Sequence, residues 1–213
     1  DPDVEPACAA TAEPPRAVRD GDGFPPYDET SAADAETDAL IDRRAALLRC
    51  VVTELVTSRL PGFRFHQVGD ADTPPARTLA PFEFYVDVEH QRFESTAVAV
   101  DDQGAVAVGF TVTRASDVQH DSDGQAIDPA CPSPPCQHTT APGGWNITYQ
   151  ASNLSLHVTV DFGQTIVQAW MFAQDLRHWH TQPTAPPRAG LPLTIEQLIE
   201  IASDPRLDVF AQP

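Results

Sequence analysis

His178-Trp179-His180 is the tightest grouping of chemistry-bearing side chains in the sequence. In extended backbone, residues two apart point to the same side, so both imidazoles could face one zinc ion. Two ligands do not complete a site. A third would have to come from the long stretch 115–144, where His120, Asp121, Asp123 and His138 are the candidates. The plainer reading is two surface histidines flanking a packed Trp179. His157 falls on the strand face opposite Leu156 and Val158 and is expected to meet solvent; His66 and His90 sit near turns without a partner pattern.

Other chemistries leave little trace. The chain has no G-x-S-x-G elbow, no H-E-x-x-H helix and no Gly-rich phosphate loop. Asp20-Gly21-Asp22-Gly23 lacks the spaced oxygen ligands of a calcium loop and reads as a turn. Paired carboxylates need be close only in space, so the 31 acidic residues single out no pair. Asn146-Ile147-Thr148 and Asn153-Leu154-Ser155 match the glycosylation sequon and read as strand residues. Catalytic residues are therefore unassigned, and enzymatic activity is not the expectation. Tyr85, Arg92, His157 and the Trp145/Trp179 region place aromatic and polar groups around the strands, a pattern suited to binding; completing the core is the rival role for these aromatics.

Composition narrows the partners. Net charge is −18, and all thirteen basic residues are Arg. The lack of Lys, with 21 Pro and much Ala, fits a GC-rich coding bias. An acidic chain without a basic patch is unsuited to nucleic acid or to an anionic membrane surface. No apolar run is long enough to span a bilayer, so direct membrane insertion of this segment is not expected. The start Asp1-Pro2-Asp3 reads as a mature product whose targeting segment has been removed. Four Cys without a C-x-x-C pair suit two disulfides in an oxidising compartment. Cys131 and Cys136 bracket a stiff Pro-Ser-Pro-Pro loop and are paired locally, leaving Cys8 to staple Cys50; four free thiols in a cytosolic protein are the alternative.

The elements that would position these groups follow from periodicity. Residues 1–28 are rich in Pro, Ala and Asp without an apolar period, and read as a tether; 29–213 read as one domain. Leu40, Ile41, Leu47, Leu48, Val51, Val52, Leu55 and Val56 recur at helical spacing, predicting a helix from Ala39 to Leu60 ended by Pro61-Gly62. Such a helix is ~33 Å long, the length of a ten-residue strand, so it can lie along a whole sheet. Phe63–His66 predicts a short strand. Phe82, Phe84, Val86 and Val88 alternate with polar residues as a half-buried strand, followed by strands at Phe93–Val100 and Ala105–Thr113. Asp101-Asp102-Gln103-Gly104 joins these two as a hairpin in which Gly104 supplies a positive φ. After the irregular 115–144 stretch, strands are expected around Trp145–Tyr149, Leu154–Phe162 and Thr165–Ala173, with Gly163-Gln164 as a turn and Trp170 and Phe172 on one side. A short helix then starts at a capping box, Thr194 with Gln197, and stops at Asp204-Pro205. The expected class is α+β: a long N-terminal helix packed on a curved antiparallel sheet of six or seven strands, with a short C-terminal helix.

The segment Pro192-Leu193-Thr194-Ile195-Glu196-Gln197-Leu198-Ile199-Glu200-Ile201-Ala202-Ser203-Asp204-Pro205-Arg206-Leu207 resembles one that recurs in uncharacterised secreted, often membrane-tethered proteins of actinobacteria. The resemblance implies an exported cell-envelope protein and carries no catalytic residues. The functional expectation is a non-enzymatic extracytoplasmic module binding a protein or small-molecule ligand of the envelope, through the sheet and the 115–144 stretch. A secreted hydrolase, metal-assisted through His178 and His180, and a protease inhibitor presenting the Cys131–Cys136 loop are the alternatives. Oligomeric state is not legible.

Overall fold

The computed structural model describes residues 18–19, 32–68, 82–87, 92–117, 136–176 and 188–211. These form an α+β arrangement of one nine-stranded sheet and two helices. In chain order the elements are β1 (Val18–Arg19), α1 (Ala32–Arg59), β2 (Arg64–Gln67), β3 (Tyr85–Asp87), β4 (Arg92–Asp101), β5 (Gly104–Arg114), β6 (Gln137–Thr140), β7 (Asn146–Ala151), β8 (Ser155–Asp161), β9 (Thr165–Phe172) and α2 (Ile195–Ala202), with single 3-10 turns at Ala115–Asp117 and Pro205–Leu207. The spatial order is β1-β3-β4-β5-β9-β8-β7-β6, and β2 pairs with the other end of β4. All pairings are antiparallel except β1 with β3.

One face of this sheet carries the main core. Phe93, Ala97, Ala99, Val106, Val108, Phe110 and Val112 from β4 and β5 join Leu156, Val158, Val160, Val167, Ala169 and Met171 from β8 and β9. Strand alternation puts these residues on one side. The α1 stripe of Ile41, Ala45, Leu48, Val51, Val52, Leu55 and Val56 and the α2 residues Leu198, Ile201 and Ala202 belong to the same cluster. Ion pairs Arg59–Glu200 (3.3 Å) and Arg206–Glu54 (3.2 Å) tie α1 to the carboxy-terminal segment. Arg206 also holds Asp204, at 2.9 Å. Buried Thr165 donates to Asp208 and accepts from the Phe210 amide, which fixes Phe210 between Phe93 and the guanidinium of Arg44.

Several expectations need correction. Among the described residues the sheet has nine strands rather than six or seven, because β1 and β6 add to its edges. The helix begins at Ala32, earlier than Ala39, since residues 32–38 are Ala, Asp, Glu and Thr that sustain a helix without showing an apolar period. Of the described residues 82–87 only Tyr85–Asp87 is strand, although Phe82 and Phe84 are buried in the core; Val88 lies outside the described residues. The 115–144 stretch is not irregular throughout: Gln137–Thr140 pairs with Asn146–Tyr149. Leu154 is 58% exposed in the β7–β8 turn rather than facing inward. The hairpin at Asp101–Gly104 forms as expected, with Gly104 at φ 134° and the Gln103 amide donating to Asp101 Oδ1.

Candidate binding surface

The face opposite the main core divides into an apolar end and a polar remainder. At the β4–β5 hairpin end, Val98, Val100, Ala105, Ala107 and Leu176 form a second, smaller cluster, with Val68 and Trp170 packed against it. One covered face was expected; the near-continuous apolar run of β5 is what a strand buried on both sides requires. Arg188 clamps this end by pairing with Asp101, donating to Gln103 Oε1 at 2.8 Å and lying 5.2 Å over the Phe63 ring.

Away from that cluster the register places side chains in rows across the strands. One row runs His138, Thr148, Thr159, Gln168, Thr111, Glu94 and Tyr85. The next runs Gln150, His157, Trp170, Gly109 and Thr96. Trp170 lies flat over Gly109: a Cβ added there would stand 2.0 Å from the indole. Phe172 leans on Trp170 with ring centroids 5.0 Å apart, and His157 meets Phe172 edge-on at 4.9 Å. All three rings are half-buried. Burial lowers the pKa of His157 from its ordinary value, because the charged imidazolium loses water. Thr159 Oγ1 is buried without a hydrogen-bond partner among the described residues. His138 Nδ1 lies 3.2 Å from Thr148 Oγ1.

The charge on this face is uneven. At the β3–β4 side Arg92 and Glu94 form an ion pair beside Tyr85, which is 48% exposed. Toward β6–β8 the strands carry no formal charge until Asp161 at the end of β8, since no Asp, Glu, Lys or Arg occurs between Asp128 and Asp161. Hydroxyls, amides and rings in such a field suit a neutral ligand that can both hydrogen-bond and stack.

The structure sorts the residues singled out from sequence. Tyr85 and His157 share the face but stand four strand spacings apart, roughly 19 Å at ~4.8 Å each, so they do not form one site. Trp145 is on the core side, packed on Phe162 at 4.7 Å, and completes the core. His157 is not freely solvent-facing; Phe172 covers one side. His178, Trp179, His180, His120, Asp121 and Asp123 lie outside the described residues. Among the described residues no group of three or more His, Cys, Asp or Glu is placed to hold a metal. Cys50 and Cys136 are disulfide-bonded; the Cys8–Cys50 and Cys131–Cys136 pairing involves positions outside the described residues. No described helix is long and apolar enough to cross a membrane, which says nothing of β-barrels. What periodicity missed is the pairing of Trp170 with Gly109. A glycine inside an otherwise apolar strand is the signal, because it marks close approach of another group.

Comparison of the chain with protein-family models, curated proteins and solved structures found no match.

Proposed function

We propose that this chain is a non-enzymatic binding module of the cell envelope. It takes an uncharged envelope ligand, small molecule or protein, on the β7–β8–β9 part of the open face, with the 115–144 stretch alongside. The carrying observation is the half-buried Trp170–Phe172–His157 group set among hydroxyl and amide side chains without a formal charge. Stacking on the rings supplies affinity, and Thr148 and Gln150 supply orientation. Oxidised Cys50 and Cys136 support an extracytoplasmic address, as does the carboxy-terminal resemblance to exported actinobacterial proteins. In the same reading residues 1–28 act as a tether that joins the sheet margin at β1, and the sheet curves around α1.

Titration of the protein against neutral envelope polysaccharides and peptides, followed by calorimetry, tests the reading. Gln150→Ala and Trp170→Phe should each weaken binding about tenfold or more, the loss of roughly 1.4 kcal/mol, while Tyr85→Ala should leave it unchanged. Absence of binding together with turnover of an envelope substrate would overturn it. No metal is required. Stoichiometric zinc in protein purified without chelators would instead favour a metal-assisted hydrolase using His178 and His180.

A further inference from the structure

β6 closes one edge of the sheet, and all four of its side chains are exposed. The Ala141 amide donates to the Trp145 carbonyl at 3.0 Å, continuing the β6–β7 ladder. Antiparallel strands use alternate residues for such bonds. Gln137 and Thr139 therefore point their amides and carbonyls at β7, and His138 and Thr140 point theirs outward, where no described strand pairs with them. Exposed edges are normally guarded by charged side chains, proline or a bulge. β2 carries such a guard in the exposed Arg64. β6, with sequence Gln-His-Thr-Thr, has none. In a chain of net charge −18 this edge also lies within the stretch between Asp128 and Asp161 that carries no formal charge.

We propose that β6 is the strand through which a second copy of this chain adds, antiparallel and about a twofold axis, to continue the sheet. A strand pairing with itself is self-complementary, as a twofold interface must be. Two strongly acidic chains repel one another, and they meet at least cost where neither presents a carboxylate. In this pairing His138 lies opposite Thr140 of the second copy, and the twofold axis passes between the two copies of Thr139. The outward groups of His138 and Thr140 supply the new hydrogen bonds, and the rows on the open face stay accessible because addition uses only the strand margin.

Sedimentation velocity of the full chain, from about 1 µM to about 1 mM, tests the proposal. A contact this short forms a weak dimer, so the sedimentation coefficient should rise with concentration. It should rise further in about 0.5 M NaCl, which screens the repulsion. Thr140→Glu adds a guarding charge, and His138→Pro removes an outward donor while sparing the β7 ladder. Each should weaken association about tenfold or more with an unchanged circular-dichroism spectrum; either variant alone suffices if the other misfolds. A wild-type chain that stays monomeric at the highest concentration and salt overturns the proposal. So does a dimer that survives Thr140→Glu, or a monomer whose β6 edge instead captures an unrelated neutral strand-forming peptide.

Discussion

Gly109 is defined by what stands over it. The Trp170 indole occupies the space a Cβ would need, at 2.0 Å, and both residues sit on interior strands that cannot move apart without breaking ladders on either side. Gly109→Ala should therefore destabilise the fold by about 1–3 kcal/mol, the usual cost of overpacking, read as a lower urea midpoint at unchanged slope. His157 makes a different prediction. Its folded-state pKa is depressed by burial below the ordinary 6.5. The unfolded chain then takes up the proton first, so this contribution to stability is complete above that value and falls as pH drops through it. Asp204 acts in the same direction lower down. Burial raises its pKa, but hydrogen bonds and charge from Arg206 outweigh that and leave it below 3.8; the stability it lends is lost as pH falls below that value. Thermal melts from neutral to mildly acidic pH should show a progressive loss, and His157→Phe should flatten the part nearest pH 6.5.

Among the elements, α2 shows how a short helix is specified. Thr194 accepts from the Gln197 amide at 3.3 Å, and Gln197 Oε1 accepts from the Thr194 amide at 2.9 Å. Thr194→Ala should cost about 1 kcal/mol of stability, measurable by chemical denaturation. This box was legible because capping is a local chemistry written into four consecutive residues. The Asp101–Gly104 hairpin was legible for the same reason, and β8 and β9 because one buried face imposes alternation on Leu156, Val158, Val160, Val167, Ala169 and Met171. β6 was not. Its four polar residues have no apolar face, and the strand exists because β7 offers a ladder to pair with. The binding surface was half legible: Trp170 and Phe172 fall on one side by simple alternation. Their neighbours Gln150, His157 and Gly109 come from strands whose pairing only the tertiary structure fixes.

At the scale of the whole molecule, the charge of −18 sets the response to salt. Self-repulsion among 31 acidic side chains opposes compaction, so screening should raise the melting temperature. For a chain of this size each kcal/mol recovered corresponds to roughly 2–4 °C; differential scanning calorimetry in dilute and in concentrated NaCl checks the sign. The sheet itself is two sequential meanders, β3-β4-β5 and β6-β7-β8-β9, zipped along β5 and β9. That seam joins segments half a hundred residues apart in a chain of 213, so it is a late and entropically demanding contact. Sliding β9 by two residues would keep every side chain on its proper face and would otherwise go unpunished. The indole forbids it. On its side β5 offers Ala105, Ala107, Thr111 and Thr113 besides the single glycine, so the halves can dock in only one alignment. The ring proposed to greet a ligand thus also serves as the key that tells two half-sheets where to stop.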